Sequence, residues 1–485
     1  MSHDLLSLDA FDILAQLASR QLSAADLMQA TLTRIAAVNP AVTALVSLVD
    51  ADQLMDQART FDLAPTYGPL AGLPMALKDL VATKGIRTTW GSPLFANHVP
   101  TKDDLLAARL RAAGVILIGK TNVPEYGLGS HTFNPVFGPT RNPYDLTRSA
   151  GGSSGGAAAA LATGMVALAD GSDMMGSLRN PAAFCNVYGL RPTWDLVPAE
   201  PVGDTFLHVM STEGPMARSP RDLALLLQVL AGPDPRLPHN RPAEAFAPSI
   251  GRDLKAKRIG WLENWGNAYS IEPGILPLCE AALAKMADLG AAIEPVKPPF
   301  PAEKLWHSWC TLRSWAVAMG KREAYRDPAN RALMKPELIW EVERGLALTA
   351  EQVHDASIIR SDWYATLARL FTRFDALALP SVQVWPFPAE WRYPAAINGR
   401  RMDSYHRWME VVVPVSLAGV PAIALPAGFG TEGRATGLPM GLQLFAAAGQ
   451  DRALLQMAQS YHEATNWPGA HPPPIPGLVS DMSPV

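Results

Sequence analysis

From Gly151 to Thr193 the chain reads GGSSGGAAAALATGMVALADGSDMMGSLRNPAAFCNVYGLRPT, with no charged side chain before Asp170. Glycines admit positive φ and close backbone approach, so Gly151-Gly152-Ser153-Ser154-Gly155-Gly156 makes a tight turn. The alanine-rich stretch Ala157–Ala162 that follows is a strong helix former. A serine at such a turn sits beside the unpaired N–H groups of a helix start, which hold an anion or an oxyanion. Alone, the turn reads first as a flexible linker or a structural turn, and it lacks the lysine of a phosphate-binding G-x-x-x-x-G-K-[ST] loop. A second serine turn, Asp173-Met174-Met175-Gly176-Ser177, places Ser177 24 positions beyond Ser153.

Composition narrows the setting. With 485 residues, 48% hydrophobic and 18% charged, the chain has the makeup of a soluble globular protein with a large core. A net charge of −4 gives no general pull toward nucleic acid or anionic membrane. The start, Met1-Ser2-His3-Asp4, lacks the regions of a signal peptide, and three cysteines, Cys185, Cys279 and Cys310, suit a reducing cytoplasm. The expected location is cytoplasmic. Residues 411–430 are long enough to cross a bilayer, but Pro414, Pro421 and Pro426 break such a helix, so buried strands and turns are expected. The ten histidines show no ligand spacing, so no metal is expected.

Punctuation marks the elements. Ser23 with Asp26 opens a helix over about 24–38, stopped by Asn39-Pro40. Residues 103–113 predict a helix ended by Gly114, then a strand over Val115–Ile118. Ser219-Pro220 starts another helix running to about Ala231. A polar connection covers 234–256. Strand Arg258–Leu262, helix Pro273–Leu289 and strand Ala291–Val296 form a βαβ unit with parallel pairing. Residues 300–410 read as helical and tryptophan-rich. Pro421–Pro426 and Met440–Phe445 read as core strands, Arg452–Thr465 as a closing helix, and the last twenty residues as a loose surface tail.

A serine nucleophile with no histidine nearby needs another base, and Met75-Ala76-Leu77-Lys78-Asp79-Leu80 supplies a lysine in an apolar frame. Lysine titrates near 10.4 in water, and burial lowers that value. A neutral lysine then takes a proton from serine. Asp79 would oppose this, but adjacent strand residues face opposite ways.

These segments resemble the amidase signature family. The pattern G-G-S-S-G-G, a D-x-G-G-S-like turn and R-x-P-A-x-x-C-G-x-x-G-x-[KR]-P-T is matched through Arg179-Asn180-Pro181-Ala182-Ala183-Phe184-Cys185-Asn186 to Gly189-Leu190-Arg191-Pro192-Thr193. Gly72–Asp79, Gly119–Asn122, Phe137–Pro143, Gly214–Arg218, Ala418–Ala422 and Gly437–Gln443 extend the likeness. The resemblance implies an α/β fold in which helices flank both faces of a central mixed twisted sheet. It implies one domain over 1–485, with a core of about 60–230 and 411–465 and a variable pocket region of about 300–410.

Carried over by residue, it implies Ser177 as nucleophile, Ser153 as the cis-peptide serine that relays protons and Lys78 as base. Ser154 would orient the relay, and the backbone N–H groups of Met174, Met175, Gly176 and Ser177 would form the oxyanion hole. Asp173 and Arg179 would pair to hold the turn, and Cys185 reads as a buried small residue. The chain departs from the pattern at Met175, where the family usually carries glycine or another small residue, and more mildly at Asn186, where glycine is common. A methionine forced to positive φ would be strained by roughly 1–3 kcal/mol.

Eight of the thirteen tryptophans fall within 300–410. Core packing accounts for most, while Trp306, Trp309, Cys310 and Trp315 are candidates for the substrate pocket. The implied activity is cofactor-free hydrolysis of a bulky or aromatic amide, anilide or carbamate by a monomer or homodimer. Two other readings are the glutaminase subunit of a tRNA-dependent amidotransferase and a relative that has lost turnover. The stretch Tyr405–Glu410 differs from the acidic glutamine-binding segment of such a glutaminase.

Overall fold

Ser23 and Ser219 each cap a helix with the hydroxyl, accepting from Asp26 and Asp222 N–H, which satisfies an amide the first turn leaves open. The computed structural model describes residues 5–63, 68–207, 209–246 and 254–475. The helix Ala24–Val42 runs past the stop expected at Asn39-Pro40. A proline in the last turn forfeits one bond, to the Ala36 carbonyl. Thr43 closes the end in the left-handed region, and Asn39 Oδ1 accepts from Ala44 and Leu45 N–H. The helix Leu105–Ala112 ends ahead of Gly114 (φ +88°), as expected.

Ten strands position the chemistry. They are β1 (Pro74–Lys78), β2 (Ile116–Thr121), β3 (Leu168–Asp173), β4 (Tyr188–Arg191), β5 (Thr212–Ala217), β6 (Arg258–Trp261), β7 (Ala292–Pro295), β8 (Ala376–Pro380), β9 (Ala422–Phe429) and β10 (Pro439–Phe445). The central sheet has eight strands in the order β7-β6-β8-β10-β9-β4-β5-β3. It is mixed: β6 pairs in parallel with β7 and β8, and the other neighbours are antiparallel. The β6–helix–β7 unit is the expected parallel crossover, with its helix at Ile275–Asp288. β1 and β2 pair in parallel in a smaller sheet completed by Leu45–Val46. That sheet meets the edge of the large one where Lys78 N–H donates to Asp170 Oδ1 at 2.9 Å.

Two expectations need correction. Within 411–430, Val413–Ala418 is a short helix, not strand or turn. Pro414 sits in its first turn, where no N–H is needed, and Gly419 ends it at φ +70°. The region 300–410 is α-helical only to Leu370, through Ala302–Arg326, Pro328–Leu333, Pro336–Leu346 and Ala350–Leu370, with a 3-10 helix at Arg407–Val412. Beyond Leu370 lies β8, whose Ala-Leu-Ala-Leu-Pro run is buried throughout and joins the central sheet. One apolar cluster reaches from Leu6 to Ile475. No helix of the described residues is long and apolar enough to cross a membrane. Of the expected C-terminal tail, Trp467–Ala470 is helical, and residues 476–485 lie outside the described range.

Candidate active site

Three elements converge where the two sheets meet. β1 ends on Lys78. The first serine turn precedes the helix Gly155–Ala162, and the second follows β3. The helix start packs directly on backbone: a Cβ on Gly156 would lie 2.2 Å from Asn122 N and 2.6 Å from the Ala44 carbonyl oxygen. The Gly152–Ser153 peptide bond is cis.

Lys78 is wholly buried. Its Nζ lies 2.9 Å from Ser153 Oγ, 2.8 Å from Ser154 Oγ and 2.8 Å from Ser172 Oγ, with the Ser172 carbonyl at 3.4 Å. An ammonium donates three hydrogens, whereas a neutral amine donates two and keeps a lone pair. A neutral Lys78 in this cage therefore accepts from one hydroxyl. Burial lowers its pKa from 10.5 to about 8, opposed by the charges of Glu213, Asp170 and Asp173. Asp79 turns away, as strand alternation predicts: its carboxylate accepts from Thr89 N–H and Oγ1.

A lowered pKa does not by itself select the base. Lys120 on β2 is also lowered to about 8 by burial, yet its Nζ is committed to the Val81 carbonyl and Thr83 Oγ1. Of these two lysines, Lys78 is the one held by serine hydroxyls.

The second serine turn is fixed by charge. Asp173 accepts from Arg179 Nε and Nη2, both at 3.0 Å, and from Arg191 Nη1 at 3.2 Å. The two guanidiniums, with Gly176 N–H, hold its carboxyl far below the usual range despite burial. Arg179 also donates to Gln443 Oε1 and Ser416 Oγ, tying the turn to β10 and to the helix Val413–Ala418. The expected pair is present, and Arg191 joins it.

Gly176 N–H donates to Asp173 Oδ1 at 2.9 Å. This corrects the four-donor expectation: Met174, Met175 and Ser177 remain as the amides with no protein partner among the described residues. Positive φ falls on Gly176 (φ +79°) and not on Met175, so methionine is unstrained there. Asn186 does take positive φ, at 55°, which asparagine tolerates. Its Nδ2 donates to Tyr144 Oη and the Trp467 carbonyl.

Ser153, Ser172 and Ser177 open onto one cavity of about 280 Å³. Among the described residues no hydrogen bond joins Ser177 Oγ to Ser153 Oγ; Ser154 N–H donates to the Ser177 carbonyl. Leu80, Leu128, Leu338, Met174, Met175 and Met409 give the cavity an apolar wall. The helix Ala302–Arg326 contributes Arg313, Ala316, Val317, Gly320 and Lys321.

Trp306, Trp309, Cys310 and Trp315 do not line this cavity. Trp309 lies behind it, donating Nε1–H to Met175 Sδ at 3.2 Å. Trp306 packs on His406 and under Arg407, Cys310 Sγ lies 3.9 Å from His406 Nε2, and Trp315 packs on the core. The stripe 306, 309, 310, 313, 317, 320 follows one helix face, and the cavity opens under its second half.

Sequence reading missed Ser172, Glu213 and Lys321. A signal existed for the first: Asp170 and Ser172 alternate on β3 toward Lys78.

This geometry has counterparts in known proteins. The amidase family model matches residues 26–455. An acylamidase of Rhodococcus erythropolis is 34% identical, covering 96% of this chain and 97% of its own. A glutamyl-tRNA(Gln) amidotransferase component from Thermus thermophilus is 36% identical, covering 94% and 97%. The crystal structure of a bacterial aryl acylamidase of the amidase signature family superposes with a TM-score of 0.89 at 27% identity, covering 97% of this chain and 99% of that one.

Proposed function

Because the chain belongs to the amidase family, a hydrolase family acting on amide C–N bonds, we propose that it cleaves a bulky or aromatic carboxamide through an acyl-enzyme on Ser177. One observation carries the reading: a buried lysine amine is held by three serine hydroxyls at the wall of the cavity that Ser177 shares.

Neutral Lys78 accepts the Ser153 proton as Ser153 accepts the Ser177 proton, and Ser177 Oγ bonds to the amide carbonyl carbon. The oxygen that gains charge faces the N–H groups of Met174, Met175 and Ser177, worth about 3–4 kcal/mol for one such donor. As the tetrahedral intermediate collapses, the C–N bond breaks. The amine departs with the proton returned through Ser153, leaving an ester on Ser177. Water then repeats the sequence and releases the acid. Asp173, Arg179 and Arg191 hold the turn and touch no reacting atom.

The apolar wall of this cavity, from Leu80, Leu128, Leu338, Met174, Met175 and Met409, suits an aryl or branched group on one side of the amide. The likeness to an acylamidase and an aryl acylamidase agrees with that class. Aryl carbamates and esters fit the same acyl transfer. The identity to amidotransferase components keeps a second reading, glutamine hydrolysis. Against it, Glu410, just before Val411, bonds Arg407 and does not line the cavity. A panel of anilides, aliphatic amides, aryl carbamates and glutamine, run beside Ser177→Ala, tests the proposal. Anilides are expected to lead, with no turnover by the variant; glutamine or acetamide as best substrate would overturn the substrate class.

A further inference from the structure

Glu213 is a charged residue on the cavity wall to which the acyl-transfer reaction gives no role. It lies on β5 directly opposite Ser172 of β3. Directly opposed residues of an antiparallel pair project to the same face, with Cβ atoms about 4.5–5.5 Å apart. Ser172 Oγ in turn is bonded to Lys78 Nζ at 2.8 Å. Glu213 is thus one side chain away from the amine, while its Oε2 is buried with no hydrogen-bond partner.

The other charges of the cavity have partners of their own: Arg313 is paired with Glu341 and donates to Tyr405 Oη, and Lys321 lies over the Tyr126 ring. Asp173 is neutralised by Arg179 and Arg191. Asp170 accepts the backbone N–H of Lys78 through Oδ1 and faces Lys120 as well as Lys78, so two lysines share its charge, although its Oδ2, like Glu213 Oε2, is buried without a hydrogen-bond partner. Asp104, which acts on Glu213 from the start of the helix Leu105–Ala112, accepts from Ala82 N–H. An orphaned carboxylate oxygen is costly when charged and far cheaper when protonated.

We propose that Glu213 is a positioning residue that shares one proton with Lys78 and so sets the pH range in which that amine is a base. The inference rests on the assignment of Lys78 as the base in the proposed function. In one state of the pair the proton is on Nζ and Glu213 is a carboxylate. In the other it is on a Glu213 oxygen and Nζ keeps its lone pair. Only an N–H and an O–H bond are exchanged. The second state takes the proton of Ser153. Burial raises the Glu213 carboxyl and lowers the Lys78 ammonium, both toward that neutral state. Such a pair titrates in two macroscopic steps that belong to neither residue alone.

The pH dependence of single-turnover acylation on an aryl amide tests this in wild type, Glu213→Gln and Glu213→Asp. Removing the anion removes what favours the ammonium, so Glu213→Gln moves the acid limb to lower pH by about one pH unit. Relative to each enzyme's own alkaline plateau, acylation at a pH on that limb then rises several-fold, and the limb becomes a single step. Glu213→Asp keeps the wild-type shape. An unmoved limb, or a uniform loss at every pH, overturns the proposal.

A second readout needs no turnover: the Lys78 ε-carbon, followed by NMR in Ser177→Ala, titrates in two steps. Adding Glu213→Gln leaves one, at lower pH. A single step with Glu213 present overturns the inference, even if Glu213→Gln does not fold. A wild type that cleaves no amide would defeat the proposed function while this titration still decides the pair.

Discussion

The two walls of the cavity are built by different rules. The wall from β1, β3 and the serine turns is set by backbone: Gly156 has no room for a methyl group, the second turn is tied by the buried Asp173–Arg179 pair, and the first by Ser154 Oγ on Lys78. The facing wall, from the helix Ala302–Arg326, is set by side-chain volume. At Gly320, which lines the cavity, a Cβ would meet nothing within 4 Å. On the proposed function, chemistry is held where little can change, and substrate shape is decided where much can.

That contrast breaks first at the reactive groups. Ser177→Ala and Lys78→Ala should each lower amide turnover by about 10⁴-fold or more, with circular dichroism and thermal midpoint near wild type. Retained activity in Lys78→Ala would move the base elsewhere. Activity should also fall with acidity. If the neutral amine is the base, as proposed, then with burial lowering Lys78 to about 8 kcat/KM drops by up to about tenfold per pH unit below that point.

Equal substitutions on the two walls should then part company. Gly320→Leu should raise KM for anilides by about tenfold by filling the cavity, and leave small aliphatic amides unaffected. Gly156→Ala, pressed against Asn122 N, should cost about 1–3 kcal/mol by denaturant melt. Gly320→Ala, in an open helical site, should gain about 0.5–1 kcal/mol. Smallest of all, Trp306→Leu should leave KM for anilides within about twofold, since that ring packs on His406 outside the cavity.

The same division explains what could be read in advance. Gly151–Gly156, Asp173–Ser177 and Arg179–Thr193 were legible because steric and charge requirements admit few residues at each place. Even the two departures follow the rule, since Met175 avoids the left-handed region and Asn186 accepts it. The tryptophans were misleading because large aromatic residues satisfy a core and a pocket alike, and burial alone does not tell them apart. Trp309 supports Met175 from behind, whereas the lining residues Ala316, Val317 and Gly320 carry no motif. The helix through Pro40 and the strand Ala376–Pro380 escaped for a related reason: tertiary contacts outweighed local punctuation.

Covalent labelling tests the central claim most directly. An aryl fluorophosphonate, mapped by peptide mass spectrometry, should add one phosphonyl group to the peptide bearing Ser177. The labelling rate should fall by at least about a hundredfold in Lys78→Ala. A label on another residue, or an unchanged rate in that variant, would contradict the account.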